Sequence, residues 1–126
     1  MEQKKILLFA DDPDLLFAYK TILTDNGYTV STATNASEVE TLLQLSSYKL
    51  ALIDSIKESK YGGCDVFKNI KKIKPEIPVI SLILCNIITT DIPEDDCSQA
   101  DIFIEKPVIA KELTEAINYL LSKAVE

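Results

Sequence analysis

Acidic side chains stand where the apolar runs of this chain end. Asp11 and Asp12 follow residues 6–10, Asp54 closes residues 50–54, and the run 101–105 ends in Glu105-Lys106-Pro107. If the first and third runs are neighbouring strands, Asp11 and Asp54 meet in one crevice, and the Lys106 ammonium reaches the same oxygens. Two carboxylates side by side are costly unless a cation joins them. A hard divalent ion such as Mg²⁺, which takes carboxylate and carbonyl oxygens and keeps several waters, meets that need. A carboxylate can also attack a phosphoryl group to give an aspartyl phosphate, with metal and lysine balancing the charge.

Other chemistries are excluded by composition. The 126 residues contain no histidine, which removes Ser-His-Asp and Cys-His pairs, His-ligated zinc and imidazole base catalysis together. Cys64, Cys85 and Cys97 are odd in number and have no CxxC spacing, so they read as buried thiols without a metal or disulfide role. The formal charge of −7 argues against a nucleic-acid partner, whose binders carry basic footprints. Only five apolar residues, 6–10, follow the N-terminal lysines, too few for a signal-peptide core. No run approaches the roughly 20 residues of a membrane span. The expectation is a single cytoplasmic domain over residues 1–126, with no membrane partner.

The elements that must position these residues follow from patterning. Five short apolar or β-branched runs, 6–10, 28–33, 50–54, 78–84 and 101–105, alternate with amphipathic segments. Asp12 caps a helix with Pro13 in its first position, Leu15, Leu16, Tyr19, Ile22 and Leu23 form its stripe, and Asn26-Gly27 stops it. Segments 35–45, 64–74 and 109–123 carry the stripes Val39-Leu42-Leu43, Val66-Phe67-Ile70-Ile73 and Leu113-Ala116-Ile117-Leu120-Leu121. Lys68, Lys71, Lys72 and Lys74 read as the wet face of the third helix, and Gly62-Gly63 as the turn before it. Residues 86–98 lack a clean stripe and predict an irregular loop with a short helix near Pro93. Inner runs that are apolar at consecutive positions argue for a parallel sheet covered on both faces, a doubly wound α/β/α sandwich. Ligands of such folds sit beyond the carboxyl ends of the strands.

Four pieces at matching spacing make the chain resemble the response regulator receiver domains of two-component signalling: residues 6–13 ending in Ala10-Asp11-Asp12-Pro13, residues 50–54 with Gly62 eight positions on, Pro78-Val79-Ile80, and residues 100–107. The resemblance covers essentially the whole chain. It implies the CheY-like, flavodoxin-like five-stranded sheet in order 2-1-3-4-5, with an irregular or short fourth helix. It also implies Asp54 as phosphoacceptor, Lys106 as the phosphoryl contact, and Mg²⁺ held by Asp11, Asp54 and the backbone carbonyl of Ile56. The implied partners are a sensor histidine kinase or phosphotransfer protein and a downstream protein or output domain. Such a domain is a signalling phosphoacceptor, enzymatic at most in its own phosphorylation and dephosphorylation.

The chain departs from the family pattern at several points. Counting back from Pro13, Ala10 takes the place of the first acid and Asp12 is left as a helix cap, which predicts weaker metal binding. Ile83 stands where the family has the switch Thr or Ser, and Ser81 lies roughly 6–7 Å deeper along the strand. Phe103 keeps the aromatic switch position without a hydroxyl partner, which favours plain core packing. Glu58 replaces a usual proline, and Ile109 a usual polar cap. These departures support a second reading, a pseudo-receiver acting as a phosphorylation-independent interaction module. An ordinary solvated carboxylate at position 54 is the blandest alternative, and an unrelated flavodoxin-like binder the most remote.

Overall fold

The computed structural model describes residues 4–10, 12–54, 62–84, 102–106 and 109–125. Their strands are β1 (Lys5–Ala10), β2 (Thr29–Ala33), β3 (Leu50–Asp54), β4 (Val79–Leu84) and β5 (Ile102–Lys106). All pairings are parallel and the sheet order is β2-β1-β3-β4-β5. β1 and β3 lie inside the sheet and are buried at nearly every position, whereas edge strand β2 is buried only at Ala33. Consecutive apolar residues are what a strand with helices on both faces requires.

The helices are α1 (Pro13–Asp25), α2 (Ala36–Leu45), α3 (Gly62–Ile73) and α4 (Ala110–Val125). Local chemistry sets their ends. The Asp12 carboxylate accepts from the Asp14 N–H at 2.8 Å, with Pro13 in the first position. Gly27 leaves α1 at φ +91°, where a β-carbon is strained. Asn35 accepts from the Glu38 N–H at 2.9 Å, and Glu38 in turn accepts from the Thr34 N–H at 2.8 Å. One orphan donor at the start of α2 is thereby satisfied, and the chain just before its cap is tied down.

Side chains of alternate parity along each strand feed two separate cores. Ile6, Leu8, Leu50, Leu52, Ile80, Leu82 and Ile104 pack with Tyr19, Leu23, Leu113, Ile117 and Leu120 of α1 and α4. Leu7, Phe9, Ala51, Ile53 and Val79 pack with Val39 and Leu43 of α2 and Val66 and Ile70 of α3. The α1/α4 layer is further tied by the Tyr28 hydroxyl, which donates to Asn118 Oδ1.

Two expectations need correction. Gly62 and Gly63 open α3 instead of forming a turn before it, because first-turn residues need no intrahelical N–H bond and so tolerate weak helix formers. The lysines of α3 are not uniformly wet: half-buried Lys71 donates from Nζ to the Ile77 carbonyl at 2.9 Å and ties the helix end to the approach of β4. The short helix expected near Pro93 lies outside the described residues, as do Cys85 and Cys97.

Candidate functional site at the carboxyl ends of the strands

The chain leaves β1 towards β2 on one side and returns through β3 on the other, so strand order reverses between β1 and β3. A crevice opens beyond the carboxyl ends of such a pair. β1 and β3 end level with each other, Ala10 opposite Asp54. The same level continues through Leu82 on β4 to Ile104 on β5. Lys106 sits two positions further along β5, opposite Leu84, and Ile83 pairs with Glu105.

Asp54 is 0% exposed, and among the described residues it is the one buried polar or charged side chain. Enclosing a carboxylate costs several kcal/mol unless donors or cations compensate it. Tyr19 of α1 is placed to feel that carboxylate: burial first, and then hydrogen bonding to Asp54 and its negative charge, hold the Tyr19 phenol well above its ordinary range. Tyr19 belongs to the core cluster that contains Leu52 and Leu82. Alternation along β3 puts Asp54 on the face of Leu52, so this influence comes from the α1 side of the sheet. The apolar stripe of α1 is legible in the sequence, but nothing local shows that its tyrosine meets the third strand.

The neighbouring positions fall as follows. Ala10 is fully buried beside Asp54, so the replaced acid leaves a methyl group against the carboxylate's strand. Ser81 is half-buried, one level deeper between Ile53 and Phe103, with the parity of the α2/α3 face. Ile83 shares that parity two positions nearer the carboxyl end of β4, so the Ser81 hydroxyl sits roughly 6–7 Å too deep to substitute for one at Ile83. Phe103 and Lys106 are placed here by backbone register, and Asp11, Ile56 and Glu58 lie outside the described residues. Ile109 precedes α4 with its carbonyl accepting from the Leu113 N–H at 3.0 Å and its side chain exposed.

A buried carboxylate at a strand end is a hard oxygen donor of the kind Mg²⁺ selects, and Asp54 Oδ2 is buried, so the one described member of the donor set fits that ion. No cluster of three or more metal-ligating side chains occurs among the described residues. No helix among them is long and apolar enough to cross a membrane.

Comparison with known proteins points to one family. The family model for the response regulator receiver domain matches residues 6–118. The alginate biosynthesis transcriptional regulatory protein AlgB of Pseudomonas putida is 30% identical over 111 residues, 88% of this chain and 24% of that protein. The transcriptional regulatory protein GlrR of Escherichia coli is 31% identical over 121 residues, 94% of this chain and 26% of that protein. The chain thus spans about a quarter of the length of the first curated relatives it matches. A receiver domain protein from Clostridium thermocellum superposes with TM-score 0.79 at 30% identity, covering 94% of each chain. TrrA from Thermotoga maritima, solved in complex with Mg²⁺-BeF, superposes with TM-score 0.77 at 26% identity, covering 94% of this chain and 99% of that one.

Proposed function

Because this chain belongs to the response regulator receiver domain family, we propose that Asp54 is the residue on which it carries its signalling phosphoryl group. Receiver domains are phosphoaccepting switches of two-component signalling and not enzymes acting on a separate substrate. The observation that carries the assignment is the full burial of the Asp54 carboxylate at the end of the central strand β3, at the point where strand order reverses. A carboxylate is retained in such a place for chemistry, since a hydrophobic residue there costs no desolvation.

In the proposed step an Asp54 oxygen attacks phosphorus on a partner's phosphohistidine. The new P–O bond forms as the P–N bond breaks, and the imidazole leaves. Asp11, Asp54 and the Ile56 carbonyl are the residues proposed to hold Mg²⁺, which supplies positive charge against the oxygens of the transferred group. Lys106, closing β5 on the same edge of the sheet, supplies a second positive charge. The domain catalyses its own phosphorylation and dephosphorylation to this extent alone. Residues 1–126 form one such unit, working in the cytoplasm between a sensor histidine kinase or phosphotransfer protein and a downstream protein or output domain.

The test is intact-protein mass after incubation with Mg²⁺ and acetyl phosphate, beside Asp54→Ala. The expected result is one added phosphoryl mass in the wild type and none in the variant. Full uptake by Asp54→Ala overturns the assignment. No uptake by either protein favours the phosphorylation-independent interaction module instead.

A further inference from the structure

The lysines of this chain are unevenly placed. Lys4 and Lys5 lead into β1, Lys49 precedes β3, Lys71 and Lys72 lie in the last turn of α3, and Lys74 stands just beyond it. Backbone hydrogen bonds draw these segments together at the amino ends of the strands. The Lys49 N–H donates to the Lys5 carbonyl at 2.8 Å, the Ala51 N–H to the Pro78 carbonyl at 3.0 Å, and the Ile77 N–H to the Lys74 carbonyl at 3.1 Å. Lys4, Lys49 and Lys72 are exposed. Lys5 Nζ donates to Ser46 Oγ at 2.9 Å and lies 5.6 Å from the centre of the Tyr48 ring, which brings the end of α2 to the same edge. Leu45, the last residue of α2, is 74% exposed there. Among the described residues the acids at this edge are Glu76, and Asp25 at the end of α1 on the other face of the sheet.

The negative pole of a helix end accounts for lysines on α3. It does not account for Lys4, Lys5 and Lys49, which stand at the starts of strands. The chain carries −7 in all, so the remainder of the molecule is more negative than that total and this edge is its positive pole. We propose that Lys4, Lys49, Lys72 and Lys74, with Leu45 beside them, form a docking surface for an acidic protein segment that carries an apolar anchor. The lysines attract the acidic side chains, and Leu45 receives the anchor. A short segment meets the positive pole alone, whereas a nucleic-acid duplex or an anionic membrane also faces the negative remainder and is repelled by it. Lys5 lies five residues along β1 from Ala10, the partner of Asp54, or about 16 Å by strand rise. A segment seated at the amino edge therefore leaves the crevice at the carboxyl edge open.

The test titrates a synthetic oligoglutamate peptide with one central leucine into the isotope-labelled chain at low salt and follows the backbone amide resonances. The expected shifts are confined to residues 4–5, 45–49 and 71–77, and the affinity falls about tenfold on going to physiological ionic strength. Lys49→Glu combined with Lys72→Glu weakens binding about tenfold or more, and Leu45→Ser weakens it about threefold. All three positions are exposed, so both variants keep the wild-type midpoint in urea. The absence of shifts at millimolar peptide, shifts centred elsewhere, or equal affinity in the charge-reversed variant overturns the proposal, and equal affinity in Leu45→Ser overturns the anchor. Tighter binding to a DNA duplex or to phosphatidylglycerol vesicles, or salt-sensitive self-association of the chain alone, gives the surface a different occupant and overturns the proposal as well.

Discussion

Placing a second carboxylate at position 10 tests how the site balances charge. Ala10 and Asp54 are paired across adjacent parallel strands, and both are 0% exposed. Paired positions point to the same face of a sheet, and adjacent strands are about 4.8 Å apart. Ala10→Asp therefore sets a second carboxylate about 5 Å from Asp54. At an effective dielectric of about 20, two unit charges at that distance repel by roughly 3 kcal/mol. The larger side chain also crowds a filled position, so the control is Ala10→Asn, which matches it in size and carries no charge. Urea unfolding at neutral pH without divalent cation should find Ala10→Asp less stable than Ala10→Asn by about 3 kcal/mol. Added Mg²⁺ should close the gap, because binding to the folded state alone stabilises by about 2.7 kcal/mol at a hundredfold excess over Kd. Acid should close it as well, since protonating either carboxyl group removes the repulsion. If the two variants unfold at the same urea concentration, or if Mg²⁺ stabilises both equally, the two positions do not share one cation site.

Two further outcomes concern the scaffold. Tyr28→Phe removes the hydroxyl that donates to Asn118 Oδ1 and should cost about 1 kcal/mol, with the loss shared in a double-mutant cycle with Asn118→Ala. Burial raises the Tyr28 phenol above its ordinary value of 10.0. Its stabilising contribution is therefore complete below about pH 10 and is lost as pH rises beyond it, so the alkaline fall in stability should be shallower in Tyr28→Phe. Asp12→Ala deletes the cap of α1 and should lower stability by about 1 kcal/mol in urea unfolding, with Asp12→Asn recovering most of the loss.

What the sequence made legible is what local chemistry decides. Asp12, Pro13, Asn26 and Gly27 bound α1 through contacts within a few residues, and the structure places its ends there. The buried runs of β1 and β3 disclosed a sheet covered on both faces. Asp54 was legible as a site because a carboxylate at the end of an apolar run demands an explanation. Features that depend on two distant segments meeting were not legible. A helical stripe identifies Tyr19 as core by its ring, but that it packs with Leu52 of β3 and Leu82 of β4 depends on how the sheet is ordered. A lysine cluster shows charge, but which carbonyl Lys71 meets depends on how the chain turns back through Ile77. Gly62 and Gly63 carry turn propensity, and only the packing of Val66 and Ile70 against the sheet draws α3 back over them.

The two cores are completed at different moments of the protein's synthesis. The layer beneath α2 and α3 draws on residues from Leu7 to Val79. The layer beneath α1 and α4 also requires Ile104, Leu113, Ile117 and Leu120. About 40 further residues must leave the ribosome before the second layer can close, roughly 2–8 s at ordinary elongation rates. Through that interval one side of the nascent sheet is sealed, while Ile6, Leu8, Leu50 and Leu52 are sheltered on the other side by α1 alone. A holdase chaperone acting on this chain should therefore engage that side, and pausing translation after β4 should lengthen its hold.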